Sequence, residues 1–505
     1  MASGLMGLEK ESLRVGADGN LAETPHPGAL GSPLTHPYIT TDYSEALAEF
    51  ITPPCETTAE ALDFLRDIQC FAYHNLGDES LCATSMPCVV AGETSIPLAK
   101  YGNSNPGQMK TVYRRGLGHR YGRVMQVIAG VHFNYSFAQA FWPSFQEIEK
   151  DSRPLQDFIN HSYFGLIRNL QRFGWLVPYL FGASPAVCKS FLHGAETKLE
   201  TFDDNTYYQP YATSLRMGDI GYQNNEESKT GMKASYDNLD AYVASLKQAI
   251  ETPCPEYEKL GVIVNGRHEQ LNANILQIEN EYYSTIRPKQ IVGSFEKPVH
   301  ALKQRGVRYV ELRSIDVNAF EPLGINERQL HFLEAFLIFC QLHESPVINA
   351  EERDHIDHNE LSAAHQGRDP SLKLHRGSET IFLRDWAKEI LGAMSGICEL
   401  LDSKHPDKPY STSLAAQQDK AQDADFTPSA RMLAAMRSEG EGFFHFASRM
   451  SKQHQDYFES LDLDPDRAAI FSKLVEESIA RQHEIELDNG ESFVDYLARY
   501  FAQPV

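Results

Sequence analysis

Two carboxylates stand two residues apart near the start of the chain, in Gly7-Leu8-Glu9-Lys10-Glu11-Ser12-Leu13-Arg14. On a β-strand, side chains two apart share a face, so Glu9 and Glu11 point one way and Lys10 the other. Such a pair repels unless a cation lies between its members, although by itself it reads as an ordinary solvated strand face. Glu45 and Glu49, in Asp42-Tyr43-Ser44-Glu45-Ala46-Leu47-Ala48-Glu49-Phe50, share a face in either a strand or a helix, and Glu49 adjoins the apolar Phe50-Ile51. In Val131-His132-Phe133-Asn134-Tyr135-Ser136 the residues His132, Asn134 and Ser136 form one face. In Tyr309-Val310-Glu311-Leu312-Arg313 the same alternation brings Glu311 and Arg313 together, which alone would be a surface ion pair of little worth. Jointly, several strands offer acidic or imidazole side chains opposite an apolar face, as a sheet floor for hard cations requires. Mg²⁺ prefers oxygen ligands and is commonly shared between carboxylates and phosphates. Arginine beside such carboxylates supplies bidentate contacts to phosphate oxygens. The chemistry implied is phosphoryl transfer.

The elements that must position these residues belong to a chain of 505 residues, 42% hydrophobic and 23% charged, with 27 Phe and 23 Tyr to pack a core. Its 46 Lys and Arg against 69 Asp and Glu give a net charge of -23, which argues against nucleic acid or an anionic membrane as the main partner. An anion would be held in a local pocket where arginines or bound cations reverse the sign. The eight cysteines are scattered without CxxC or zinc-type spacing, so reduced thiols are expected. No signal-peptide pattern opens the sequence, and the most apolar stretches, 175–181 and 332–342, are too short or interrupted to span a bilayer. A cytoplasmic location follows.

Short alternating segments predict strands at 7–14, within 39–52, and at 130–136, 213–218 and 307–315, with helices between them such as 162–173 and 235–249. That mixture indicates an α+β fold rather than regular βαβ alternation. After about residue 326 long helical patterns take over, at 327–343, 383–402 and 429–450. Two polar stretches interrupt them, 349–377 and 403–426, the second read as a mobile loop. His355, His358, His365 and His375, with Asp354 and Asp357, include an HxxH spacing that zinc could use. The uniformly polar surroundings favour a solvated excursion instead.

The strings already quoted, with Ile39-Thr40-Thr41-Asp42, Glu49-Phe50-Ile51-Thr52-Pro53, Tyr113-Arg114-Arg115-Gly116-Leu117, Gln277-Ile278-Glu279-Asn280-Glu281, Ile286-Arg287-Pro288-Lys289 and Val310-Glu311-Leu312-Arg313-Ser314-Ile315-Asp316, resemble in order the bacterial (proteobacterial-type) glutamate–cysteine ligases. The resemblance runs from residue 5 to about 345 and thins beyond. It implies a fold like the catalytic domain of glutamine synthetase, a curved, largely antiparallel sheet forming a funnel with helices outside. Residues 1–345 would be that catalytic core and 346–505 a mainly helical region packed on it. By motif match Glu9, Glu11, Glu49, His132 and Glu311 would be metal ligands, for Mg²⁺ or alternatively Mn²⁺. Arg114 and Arg313 would face the phosphates and the transferring group of ATP, helped by Arg287 or Lys289. Arg216 would clamp a substrate carboxylate. Tyr43, Tyr113, Leu117, Gln126, Tyr222 and Tyr283 would wall the cysteine pocket.

The resemblance further implies ligation of the γ-carboxylate of glutamate to cysteine through a γ-glutamyl phosphate, the first step of glutathione biosynthesis, by a monomer open to feedback inhibition by glutathione. No segment for adding glycine follows, so γ-glutamylcysteine is the expected product. Tyr43 stands where the family usually has phenylalanine, adding a hydroxyl at the acceptor pocket, and Ala319 replaces a common proline. The family normally carries a helical segment before the first Glu motif, whereas here Met1 lies eight residues ahead of Glu9, a start that is either trimmed or different. Two rival readings stand beside this one: another ATP-dependent glutamate–amine ligase of the same fold with a different acceptor, and a metal- or nucleotide-binding protein without turnover.

Overall fold

The computed structural model describes residues 4–88, 90–221, 232–488 and 490–504. Its organising element is a seven-stranded sheet built from β1 (Leu5–Val15), β2 (Ile39–Thr41), β3 (Leu47–Ile51), β4 (Ser80–Leu81), β5 (Gly130–Ser136), β6 (Ile286–Lys289) and β7 (Tyr309–Asp316). The strands run in the order β6-β7-β5-β1-β3-β2, with β4 paired to the end of β1, and every neighbouring pair is antiparallel. Register decides what meets on the open face. Glu11 lies opposite Glu49, Glu9 opposite His132, and Glu311 opposite both Asn134 and Arg287.

The other face is apolar, with Leu8, Val131, Phe133, Val310 and Leu312 fully buried. Helix α1 (Thr58–Tyr73), started by a capping box of Thr57 and Glu60, packs behind β1 and β3. Lys10 points the same way, as alternation requires, and its ammonium donates to Gln69 Oε1 of α1 at 2.5 Å. Burial pulls that ammonium down to about 7.

Helix α2 (Asn105–Tyr121) crosses the open face, begun by Ser104 and Pro106 and ended by Gly122 at φ 81°. Helices α3 (Leu155–Phe173) and α4 (Glu327–Leu342) pack on each other, and α4 is buried on nearly every side, so its apolar residues run together instead of forming a stripe. Then follow α5 (Ala350–Gln366), α6 (Leu383–Ala393), α7 (Ser395–Asp402), α8 (Pro409–Gln422), α9 (Pro428–Glu439), α10 (Phe443–Glu459), α11 (Pro465–Leu487) and α12 (Phe493–Phe501). One cluster of buried apolar side chains includes Leu8 and Phe133 of the sheet together with Trp386, Leu414 and Phe446 of these helices. Among the described residues no helix is long and apolar enough to cross a membrane. All eight cysteines are buried and free.

Several expectations are corrected. Residues 213–218 do not form a strand: Leu215–Met217 is a 3-10 turn capped by the Ser214 hydroxyl, and the amides of Thr213 and Ser214 donate to the Ala364 carbonyl of α5, which replaces a sheet neighbour. The 39–52 segment is two strands joined by a turn, and Glu45 sits in that turn, accepting from the amides of His26 at 2.8 Å and Lys100 at 3.0 Å. It is an anchor for the backbone. Polar 349–377 holds α5 and a hairpin of Lys373–Arg376 with Glu379–Phe382. The stretch 429–450 breaks at Gly440, whose φ of 63° closes α9.

Where 403–426 was expected to be a loop, α8 occupies most of it, with Tyr410, Ser413, Leu414, Gln417 and Ala421 buried. Its polar composition hides a helix because a side chain from outside starts it. Lys408 at the N-cap gives no side-chain cap, and the Asp402 carboxylate instead accepts from the amides of Tyr410 and Ser411, each at 2.9 Å. Replacing Asp402 by alanine strands those amides and is expected to lower stability by about 1–2 kcal/mol, seen as an earlier urea midpoint at unchanged slope. A variant as stable as the parent would show that the cap contributes nothing.

Candidate active site

The open face of the sheet floors a cavity of about 510 Å³, roofed by one side of α2. Glu9 and Glu11 of β1, Glu49 of β3, His132 of β5 and Glu311 of β7 all line it. The imidazole of His132 stands among them: Nδ1 is 3.1 Å from Glu9 Oε2 and 3.8 Å from Glu311 Oε1, and Nε2 is 3.8 Å from Glu11 Oε1. Asn134 steadies Glu9 by donating to Oε1 at 2.9 Å, and the Gly130 amide holds Glu11 Oε2 at 2.7 Å. Glu9, His132 and Glu311 each offer a ligand atom within 4.8 Å of the others, the only such group among the described residues.

Electrostatics separates the carboxylates. Burial pushes Glu49 well above the ordinary carboxylate range, and the charges of Glu9, Asp42 and Glu11 push it further. Burial also raises Glu11, with Asp42 adding to it against His132, Arg216 and Arg313. Glu311 goes the other way: burial opposes its ionisation, but Lys289, Arg313, His132 and Arg287 together hold it well below the usual range. Lys289 Nζ lies 3.3 Å from Glu311 Oε2, and Arg313 Nη1 3.2 Å from Oε1. Glu9 is lowered as well, since its hydrogen bond and charge contact with His132 outweigh burial and Glu311. A divalent cation suits this oxygen-rich donor set with one imidazole, because it would relieve the repulsion that raises Glu49 and Glu11.

Helix α2 contributes Pro106, Met109, Lys110, Tyr113, Arg114, Leu117 and Tyr121 to the cavity, a single face at helical spacing. Arg114 is held over the Tyr101 ring, 4.7 Å from its centroid, and its Nε donates to the Asp42 carbonyl. The family-implied acceptor residues Tyr43, Tyr113, Leu117, Gln126 and Tyr283 line the same cavity, as do Arg287 and Lys289. Tyr222 lies outside the described residues. Tyr43 brings its ring, but its extra hydroxyl is tucked against α2, where a Cβ at Gly118 would stand 2.4 Å from it. The hydroxyl therefore faces a glycine of the helix instead of entering the pocket.

Arg216 is fully buried and does not line the cavity. Its guanidinium donates to the Arg313 carbonyl at 2.8 Å and lies 3.8 Å from Asp316 Oδ1, one layer behind the wall. Both Arg216 Nη1, at 3.3 Å, and Tyr283 Oη, at 3.5 Å, reach Met217 Sδ. Three of the histidines weighed for zinc gather ring against ring, but among the described residues they form no metal-ligand group. His355 stacks on His375 with centroids 4.3 Å apart and His358 stands edge-on to it, whereas His365 pairs with Asp219 at 2.9 Å.

Motif reading missed Asp42, Lys110, Phe295, Tyr496 and Tyr500, all on the cavity wall. Lys110 had a signal, since it stands one helical turn before Arg114. The two tyrosines had none: they come from α12, nearly four hundred residues beyond α2.

A sheet floor of carboxylates with an imidazole, flanked by fixed cations, is an arrangement that could hold a divalent cation and handle phosphoryl groups, as ATP-dependent ligases do. Comparison with known proteins agrees. Residues 1–362 match the model of the family described as glutamate–cysteine ligase. Curated relatives named glutamate–cysteine ligase include one from Alcanivorax borkumensis, 49% identical over 98% of this chain and 95% of its own length. Another, from Pseudomonas aeruginosa, is 48% identical over 99% and 94%. The crystal structure of glutamate–cysteine ligase from Francisella tularensis in complex with AMP superposes with a TM-score of 0.92 at 36% identity, covering 99% of this chain and 98% of that one. A bifunctional glutathione synthetase from Pasteurella multocida shares the fold, with a TM-score of 0.71 at 22% identity over 94% of this chain and 56% of its own. The chain belongs to the glutamate–cysteine ligase family.

One consequence of the clustered charges is testable without substrate. A carboxyl whose folded pKa is raised binds more protons when folded, so its contribution to stability is full at low pH and is lost as pH rises through the folded value. In metal-free protein, Glu49→Gln is therefore expected to raise the melting temperature at pH 8 and to change it little at pH 4. A gain that is the same at both pH values would mean that Glu49 is not held protonated by its neighbours.

Proposed function

We propose that this chain joins the γ-carboxylate of glutamate to the amino group of cysteine using ATP, releasing γ-glutamylcysteine, ADP and phosphate. The observation that carries the reading is the meeting of Glu9, His132 and Glu311 from three strands on one floor beside Arg313 and Lys289. A carboxylate resists direct attack by an amine, so the γ-carboxylate first takes the terminal phosphoryl group of ATP. The amine then displaces phosphate from the γ-glutamyl phosphate. Both steps load negative charge onto oxygens, and fixed cations in a water-poor cleft stabilise that charge without reorganising.

Glu9, Glu11, Glu49, His132 and Glu311 would hold Mg²⁺ or Mn²⁺, which neutralises phosphate oxygens when bound. Arg313 serves the transferring group, aided by its buried Nε, which has no hydrogen-bond partner among the described residues. Arg114, Lys289 and Arg287 serve the remaining phosphates. Tyr43, Tyr113, Leu117, Gln126 and Tyr283 enclose the acceptor with ring and aliphatic surface. The clamp on a substrate carboxylate that the resemblance gives to Arg216 would need its buried guanidinium uncovered, since it stands one layer behind Tyr283. Glutathione, which contains the γ-glutamylcysteine portion, would compete for the same space, and reduced, buried cysteines suit a cytoplasmic enzyme.

The test is ADP release from ATP with Mg²⁺, glutamate and cysteine. Glu11→Gln and Glu49→Gln are each expected to lower turnover by about a hundredfold or more while the protein still melts cooperatively. Undiminished turnover in both would sink the metal roles. The rival acceptor reading is settled by a panel of cysteine, 2-aminobutyrate, ammonia and bulkier amines, where cysteine is expected to give the highest kcat/KM. Preference for ammonia or a bulky amine would remove cysteine as the acceptor.

A further inference from the structure

We propose that a second cavity, separate from the sheet floor, is a binding site for a small aromatic carboxylate, with His355 and His375 receiving the acid. It is lined by the C-terminal ends of α3 and α4 together with α5, the 373–382 hairpin, α6 and α7, and measures about 660 Å³ against about 510 Å³ for the active-site cavity. No residue lines both. Its volume is in the range of small-molecule sites, which combine apolar walls with a few polar groups.

The walls of this cavity are tied together before any ligand arrives. Arg172 of α3 grips Glu352 of α5 through two contacts, at 2.5 Å and 3.1 Å, and Arg376 of the hairpin holds Glu389 of α6 at 2.5 Å. Asn359, buried on α5, exchanges two hydrogen bonds of 2.7 Å with the backbone of His375. One helical turn before Asn359 stands His355, so this exchange sets the hairpin imidazole face to face with the one on α5, 4.3 Å between centroids and 8° between planes. Apolar surface fills the rest: the Phe173 ring lies 5.7 Å from Phe339 and 6.3 Å from Trp386, and Ile356 and Ile390 are buried in the lining. Leu342, which also lines the cavity, remains 45% exposed, an apolar cost that an occupant would remove.

Planar rings and a local reversal of charge point to the ligand. Six lining side chains are rings, Phe173, Phe339, His343, His355, His375 and Trp386, a surface that favours a flat aromatic body. In a chain of net charge -23, the charged and titratable groups here are two guanidiniums and three imidazoles against two carboxylates. Glu352 and Glu389 occupy the two guanidiniums, which leaves the imidazoles for a ligand: among the described residues the rings of His343, His355 and His375 make no hydrogen bond or ion pair, and they form no metal-ligand group. Facing the stacked pair are Arg172 of α3, His343 after α4, Glu352 and His358 of α5, Arg376 of the hairpin and Glu389 of α6. Asp354 and Asp357 of α5 pair with Lys233 at 3.7 Å and 2.8 Å. Desolvation, with His355 and His358 beside it, lowers His375 below the usual imidazole range. A carboxylate placed against the pair would offset that repulsion and draw a proton onto it, so an acid binds more tightly as pH falls.

Calorimetric titration of the full chain with naphthoate, its neutral amide and the cationic naphthylmethylamine tests this. Naphthoate is expected to bind on the order of tenfold more tightly than the amide, the scale of a hydrogen bond to a charged group, and the amine most weakly. Its affinity should rise from pH 8 to pH 6, where the acid stays ionised while imidazoles take up protons. His355→Gln combined with His375→Gln, both at the rim, should lower naphthoate affinity on the order of tenfold and abolish the pH dependence, with the amide unaffected and the melt still cooperative. Saturating ATP and glutamate should leave naphthoate binding unchanged, because the two cavities share no residue. Absence of naphthoate binding at millimolar concentration overturns the site, and so does displacement by ATP or glutamate. Equal affinity for the three probes, an affinity that does not change with pH, or full binding in the double variant overturns the imidazoles as the acid's partners.

Discussion

Carboxylates gathered on one face of a sheet repel one another, and the rest of the architecture exists to hold them together. The antiparallel register sets Glu11 against Glu49 and Glu9 against His132, so separation is not available to them as a relief. What relief there is comes from Lys289 and Arg313 at Glu311, and from the hydrogen-bonding imidazole of His132 that stands between Glu9 and Glu11. Their attraction makes Glu311 an easy acid to ionise, while Glu49, farther from those cations, is a hard one. An apolar rear face locked by α1 prevents the strands from twisting apart. The site therefore stores a deficit of positive charge, which is the property the proposed divalent cation would answer.

Much of this was legible in the sequence, because strand periodicity is local. Alternation in β1, β5 and β7 put the right side chains on one face, and the neighbouring Leu8, Phe133, Val310 and Leu312 on the other, without knowledge of which strands pair. What alternation cannot state is distance between strands, so Glu45 shared a face with Glu49 by periodicity, whereas the turn carries it away to the amides of His26 and Lys100. Asp42 and Lys110 sat inside or beside recognised strings and were passed over for their neighbours.

The illegible parts share one cause, dependence on a partner far away in the chain. The 213–218 turn looks extended because its amides do bond across to other segments, but these are α5 and a single isolated β-bridge at Ser184, not a strand of a sheet. Helix α8 has too polar a sequence to declare itself, and it is begun by Asp402 from the preceding helix. Tyr43 shows the same limit at a single atom: its hydroxyl was assigned to the pocket by its type, while a glycine on α2 gives it a different place to go.

The cavity is bounded by Glu9 at one extreme of the sequence and Tyr500 at the other. During synthesis the sheet strands emerge long before α12, so nearly four hundred residues must follow α2 before the pocket can close. Until then the acidic floor is exposed without its far wall, and an incomplete nascent chain cannot draw on the cell's nucleotide through a finished site. A chain cut short before α12 would accordingly keep every strand motif of the floor and have an unfinished cleft.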